Sequence, residues 1–213
     1  MGNAMSSDNQ PQGTPQRATE VRAQQVASTT LQLFIVKRHD ARRHHYDFRL
    51  GHNRVLKSWV LPDGPSYRFG DQREAIQVDD HSRETPFFEG VIPAGRYGAG
   101  TVMLWDWGTW EPLPDYTDVD ASLRNGFLKF SLYGEKLKAT WRLTRTRRST
   151  GGKRNSFWML VKEQDAFARS KTANSILKEA PNSISSGKTL EEIAGGRSPG
   201  KNELQGMLFD EDE

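Results

Sequence analysis

The stretch His39-Asp40-Ala41-Arg42-Arg43-His44-His45-Tyr46-Asp47-Phe48-Arg49-Leu50 carries the densest set of reactive side chains in this 213-residue sequence. From His45 onward it alternates, so an extended strand turns His45, Asp47 and Arg49 to one face and Tyr46, Phe48 and Leu50 to the other. An imidazole, a carboxylate and a guanidinium then stand in a row at about 6.6 Å spacing, twice the rise per residue of a strand. His39, ahead of a short polar turn, can fold back toward that row. A second segment, Glu74 to Val78, runs into Asp79-Asp80-His81; strict alternation puts Gln77, Asp79 and His81 on one face and Ile76, Val78 and Asp80 on the other. Two His and one Asp from separate strands make a partial metal shell with room for water and a phosphate oxygen, a donor set suited to Mn²⁺ or Zn²⁺. Arg49 and Arg73 add forked donors that match phosphate bidentately. All five histidines fall within residues 39–81. His44 and His52 receive no chemical role, the first pointing to the apolar side or the turn and the second sitting in a hairpin loop.

Positioning such a row requires strands, and the chain supplies them. Aromatic and branched residues recur in short runs at 34–36, 46–48, 55–61, 75–78, 101–110, 127–132, 137–146 and 157–161, separated by turn signals such as His52-Asn53, Asp63-Gly64-Pro65 and Tyr133-Gly134-Glu135. Many short strands punctuated by Gly and Pro predict an all-β barrel or sandwich, mostly antiparallel. No core run has the length and period of a major helix. Short helices are expected near Asp165 to Lys171 and at Thr189 to Ala194, the latter capped by Thr189. The tryptophans at 105, 107 and 110 read as core or barrel-rim residues. The loop Gly95-Arg96-Tyr97-Gly98-Ala99-Gly100 precedes a strand rather than a helix, so it reads as tight turns and not as a phosphate cradle.

Composition narrows the chemistry further. A hydrophobic fraction of 35% is low for a compact domain, which predicts a disordered arm over residues 1–30, a β-barrel over 31–163 and a polar C-terminal tail over 164–213 with short helical segments. The absence of Cys excludes disulfides, thiolate catalysis and Cys-rich zinc modules. No apolar run approaches the roughly 18 residues of a membrane span and no signal peptide is evident, so a soluble, cytoplasmic and nucleoid-associated protein without a membrane partner is expected. The modest overall charge of +3 conceals a basic core, net +6 over residues 34–163, beside an acidic C-terminal tail. Arg145, Arg147, Arg148, Lys153 and Arg154 bracket a hairpin tip and are candidate contacts to a DNA backbone, with a merely solvated loop as the competing reading.

With the segment His39 to Leu50, the runs Val55-Leu56-Lys57-Ser58-Trp59, Gly64-Pro65-Ser66, Asp80-His81, Phe88-Glu89-Gly90-Val91-Ile92-Pro93 and Tyr97-Gly98-Ala99-Gly100-Thr101-Val102 resemble the 3′-phosphoesterase domain of bacterial DNA ligase D. The resemblance covers roughly residues 33–163. It implies a compact, mostly antiparallel β-barrel and Mn²⁺-dependent trimming of DNA 3′ ends in end-joining repair, in which a terminal ribonucleoside and then the 3′-phosphate are removed to leave a 3′-OH. Carried over by position, His39, Asp47 and His81 match the metal ligands, and His45, Arg49 and Arg73 match residues that engage the scissile phosphate or assist proton transfer. Two positions depart from the family pattern: Asp63 stands where the family carries a functional lysine, and Thr85 where it carries a tyrosine. A 213-residue chain has no room for polymerase or ligase domains, so a stand-alone member with a ligase or polymerase acting in trans is expected.

Near the C-terminus, Gln205-Gly206-Met207-Leu208-Phe209 resembles a sliding-clamp docking peptide, with Gln205 setting register and Leu208 and Phe209 filling a pocket, against a chance match as the alternative. Two rival readings of the histidine cluster stay open: a catalytically weakened module that binds DNA ends through a retained metal site, and a non-haem iron oxygenase, whose facial triad is imitated by His45-x-Asp47 with a distant His81.

Overall fold

The computed structural model describes residues 32–146 and 157–195, and within them nine strands, three short helices and one 3₁₀ turn. The strands are β1 (Gln32–Asp40), β2 (His44–His52), β3 (Val55–Leu61), β4 (Gln72–His81), β5 (Gly90–Ile92), β6 (Gly100–Pro112), β7 (Phe127–Gly134), β8 (Lys138–Arg145) and β9 (Phe157–Lys162). Sheet order is β1-β2-β3-β4-β9-β8-β7-β6-β5, and β6 also pairs with β1. The ring of eight strands is therefore closed, every pairing is antiparallel, and β5 lies outside the ring against the start of β6. Closure removes the unpaired edges that an open sheet would expose.

Local sequence explains the corners. Asn53 and Arg54 both take positive φ (47° and 65°), the two-residue turn whose twist suits a tight hairpin, and it joins β2 to β3. Between Val36 and Lys37 the β1–β6 register slips by one residue, because Val36 faces Asp106 while Lys37 faces Leu104. The extra β6 residue lets Trp105 pack into the barrel core while Leu104 and Trp107 join a separate outer cluster.

Two apolar cores result. The barrel interior holds Phe34, Val36, Phe48, Leu50, Trp59, Trp105, Trp110, Phe130, Trp141 and Trp158, among others. A smaller cluster of Leu33, Ile35, Leu56, Leu104 and Trp107 lies on the opposite face, covered by Phe87 and Ile184. The sequence run at 90–92 was not expected to form a strand, and helix α1 (Val119–Asn125) was likewise unforeseen. The Asp118 side chain caps α1 through the Ala121 amide (2.8 Å), and Gly126 ends it in the left-handed region at φ 81°.

The segment after β9 packs on the barrel. Expected as a helix, 165–171 instead forms turns and a bridge between Arg68 and Arg169. Asp165 explains the difference: its carboxylate takes the amides of Thr140 and Phe167 (2.9 Å each) and pairs with the buried Lys162, so its bonds run back to the barrel rather than into a helical turn. Helices α2 (Ile176–Glu179) and α3 (Leu190–Gly195) follow, and Ile176, Leu190 and Ile193 enter the main core. At α3 the expected cap is present: Thr189 Oγ1 accepts from the Glu192 amide (3.2 Å) and Glu192 Oε2 accepts from the Thr189 amide (2.8 Å). No helix among the described residues is long and apolar enough to cross a membrane.

Candidate active site

Cross-strand pairing assembles the site on the outer face of the barrel. His39 lies opposite His45, Lys37 opposite Asp47 and Ile35 opposite Arg49, while β3 sets Val60 opposite Asp47 and Ser58 opposite Arg49. Directly opposed residues share a face, so the period of two that sends Phe48 and Leu50 inward sends Asp47 and Arg49 outward. His39, His45 and Asp47 each offer a ligand atom within 4.8 Å of the others.

Backbone carbonyls fix the imidazole tautomers. His39 Nε2 lies 3.0 Å from the Gly98 carbonyl and His45 Nδ1 lies 2.9 Å from the Arg43 carbonyl. A carbonyl can only accept, so each of those nitrogens carries the hydrogen, leaving His39 Nδ1 and His45 Nε2 as lone-pair donors. His45 Nε2 faces Asp47 Oδ1 at 3.6 Å, and Arg49 Nη2 donates to Asp47 Oδ2 at 3.3 Å. An imidazole lone pair and a carboxylate oxygen oppose each other unless a proton or a cation stands between them. The donor set thus fits a divalent transition metal. Burial holds the His39 imidazole below its usual range, and the neighbouring His45 and Arg49 act in the same sense against Asp47 and the Gly98 carbonyl, which keeps the ring neutral and available for ligation at neutral pH.

His81 reaches the same face by an irregularity. Ser58 pairs with Val78 but Leu56 pairs with His81, so β4 has one residue more than β3 across this step. Strict alternation grouped His81 with Gln77; instead Gln77 accepts from the Trp158 indole (2.9 Å) on the core side, and His81 turns outward to Ser58. The Ser58 hydroxyl donates to the Leu56 carbonyl (2.8 Å) and so accepts from His81 Nδ1 (3.1 Å), leaving His81 Nε2 unclaimed by that bond. Burial, then Arg49, lowers the His81 pKa, while the charge of Asp47 opposes them. His81 feels the cluster's charges but lies outside the group within 4.8 Å.

Other expected residues sit elsewhere. Arg73 shares the Ala75 and Gln77 side of β4, opposite Leu160 of the core, and its guanidinium lies 3.5 Å from Asp71. Arg145 donates to the Arg124 carbonyl (2.7 Å) and stacks over Trp158 at 5.6 Å. His44 pairs with Asp40 (3.2 Å) and His52 with Asp120 (3.2 Å) at the barrel's periphery. Arg147, Arg148, Lys153, Arg154, Gln205, Leu208, Phe209 and the arm 1–30 lie outside the described residues.

The sequence reading missed Lys37. It is 5% exposed, its ammonium 3.5 Å from the Thr85 carbonyl and 5.8 Å from the Phe88 ring. Burial, then Arg49, pushes its pKa down to about 7 against the opposing pull of Asp47 and Glu89. Its signal was available, since Lys37 and His39 are two apart on β1 and must share a face.

A family model for the DNA ligase D 3′-phosphoesterase domain matches residues 37–145, just over half the chain and the whole of this cluster. The chain belongs to that family. It is 47% identical over 163 residues, 76% of its length, to the multifunctional non-homologous end joining protein LigD of Pseudomonas aeruginosa. It is also 38% identical over 113 residues, 53% of its length, to the LigD of Mycobacterium bovis, and 35% identical over 118 residues, 54% of its length, to that of Mycolicibacterium smegmatis. The chain spans only 19%, 14% and 15% of those proteins, respectively. Asp63 and Thr85, the two positions at which the sequence is expected to depart from the family pattern, are both exposed. Thr85 borders the site, since its carbonyl faces the Lys37 ammonium.

Proposed function

We propose that the chain is a metal-dependent phosphoesterase that trims DNA 3′ ends, removing a terminal ribonucleoside and a 3′-phosphate to leave a 3′-OH, in support of end joining. The observation that carries this reading is the gathering of His39, His45 and Asp47 on one face with ligand atoms within 4.8 Å of one another, flanked by two basic side chains, Arg49 and Lys37. His39 and Asp47 would hold the ion, Mn²⁺ or another divalent transition metal, with His81 as third ligand. A bound divalent ion would polarise a phosphoryl oxygen and lower the pKa of a water. Arg49 spends one donor on Asp47, and its buried Nε has no hydrogen-bond partner among the described residues, so the guanidinium can also turn a donor to phosphate. His45, oriented by the Arg43 carbonyl at Nδ1, would give a proton to the departing oxygen from Nε2 in its doubly protonated form, with Asp47 beside that nitrogen to stabilise the imidazolium.

A second allocation has support in the 4.8 Å group itself, in which His45 replaces His81 as third ligand. Manganese titration followed by electron paramagnetic resonance separates the two: His81→Ala should weaken Mn²⁺ binding at least tenfold and His45→Ala should leave it nearly unchanged, and the reverse pattern selects the second allocation. The function itself is tested on primer-templates ending in a ribonucleotide or a 3′-phosphate. Wild type with Mn²⁺ should convert both to 3′-OH ends, and His39→Ala, Asp47→Ala or chelation should abolish conversion. Metal-dependent DNA binding with no trimming would select the weakened end-binding module, for which Asp63 and Thr85 are the motive. A ligase acting in trans would then seal the product.

A further inference from the structure

The loop between β5 and β6 presents a side chain that the proposed chemistry does not use. Residues 93–99 form two linked turns, with the Arg96 amide bonded to the Pro93 carbonyl (3.2 Å) and the Ala99 amide to the Arg96 carbonyl (3.1 Å). Gly95 and Gly98 take left-handed φ values of 84° and 74°, so the backbone path is specified by residues that can follow it. At the corner stands Tyr97, 97% exposed, whereas the other exposed large hydrophobic residues among those described are no more than 51% exposed.

This loop is fastened to the candidate site. The Gly98 carbonyl accepts from His39, and a Cβ on Gly100 would meet the Asp40 carbonyl at 2.3 Å and Ala41 Cα at 2.9 Å. The loop backbone therefore abuts the β1–β2 turn, where Arg42 and Arg43 are exposed, and Arg96 is exposed beside Tyr97. Between that turn and the cluster, Ala41, Arg42, Arg43 and His45 line a concavity of about 420 Å³. An exposed aromatic ring, three exposed guanidiniums and a hollow lined by His45 are carried by two turns whose backbones abut. Aromatic rings that stack bases beside cations that track phosphates are the two elements of single-strand recognition.

From this juxtaposition we infer that Tyr97 is a stacking platform for an unpaired nucleobase of the 3′-terminal strand, next to the phosphate received by the His39–His45–Asp47 cluster. The inference rests on the phosphoesterase reading for the identity of the substrate, and it adds a preference: ends whose last bases are single-stranded or frayed bind better than blunt, fully paired ends.

Binding is measured without catalysis, in chelator, using a primer-template whose unpaired 3′-terminal bases include 2-aminopurine. Wild type and Tyr97→Phe should quench the fluorophore, and Tyr97→Ala should not, with affinity lowered roughly 5- to 100-fold by the loss of one stacked base. An abasic 3′ terminus should weaken wild-type binding by a similar factor and leave Tyr97→Ala unaffected, a comparison that does not depend on any variant folding well. In turnover with Mn²⁺, Tyr97→Ala should raise KM with little change in kcat. Equal quenching by wild type and Tyr97→Ala, or indifference of wild type to the abasic end, overturns the stacking site. Should wild type quench the probe and yet trim nothing, the stacking site stands and the phosphoesterase reading falls; trimming by Tyr97→Ala with unchanged KM has the opposite meaning.

Discussion

Lys37 is the costliest side chain in the site to keep. Its ammonium is buried between Asp47, Arg49, Glu89 and the Phe88 ring, without an ion-pair partner at contact distance among the described residues, and burial weakens its hold on the proton. A buried ammonium of this kind has two separable roles to weigh, its cost to folding and its service to the charged cluster around it. Replacing it with an apolar side chain of similar length should separate the two roles. Lys37→Met is expected to leave the melting temperature unchanged or raise it, because replacing a buried charge with a well-packed apolar group is commonly neutral or stabilising. The same variant should trim 3′ ends at least tenfold more slowly. Thermal melts and initial rates on one preparation check both halves, and a variant that loses stability without losing rate would make Lys37 a structural residue.

Individual strands were legible where alternation is regular and obscure where it breaks. The β2 row was readable because His45, Asp47 and Arg49 alternate with core residues without interruption. His81 was identified but its face was not, because the additional residue in β4 changes the parity between Gln77 and His81. Lys37 escaped because β1 is buried on both faces, so its apolar run hides a period of two. Helix α1 escaped because seven residues are too few to show a helical period, though Asp118 and Gly126 marked its ends.

The β7–β8 hairpin depends on a side chain from β6. Asp106, fully buried, accepts the amides of Glu135 and Lys136 (3.1 Å each) and Leu137 (2.7 Å). Burial outweighs those bonds and raises its pKa to about 6, above the ordinary 3.8. The folded state therefore binds this proton more tightly than the unfolded chain. The stabilisation linked to that proton is complete below about 3.8 and is lost as pH rises through about 6. Asp106→Asn replaces one acceptor with a donor and should cost about 2 kcal/mol or more in urea unfolding. Because asparagine does not titrate, that cost should be greatest near pH 4 and smaller at pH 7. A pH-independent difference between the two proteins would remove Asp106 as the titrating group.

The whole molecule extends beyond the matched family region. Residues 37–145 stop short of β9, the stave that pairs with both β4 and β8 and so closes the ring. Past β9 the chain continues to contribute, since the Trp105 indole donates to the Ala180 carbonyl (2.8 Å) and Ile176, Leu190 and Ile193 complete the core. A chain ending at residue 163 would expose those core surfaces. Its urea midpoint should fall clearly below that of the full chain, with each lost aliphatic worth about 2–4 kcal/mol. An unchanged midpoint would mean that the segment rests on the barrel without supporting it.

The division into two apolar clusters also gives the protein an optical property. Five of its six tryptophans (Trp59, Trp105, Trp110, Trp141 and Trp158) belong to the barrel core, while Trp107 alone sits in the outer cluster, edge-on to Phe87 at 5.0 Å in the loop that also carries Thr85 and Phe88. A fluorescence change that disappears in Trp107→Phe would therefore come from the outer cluster and its covering loop. Ligand arrival there could be followed in the unlabelled protein, separately from any loosening of the core.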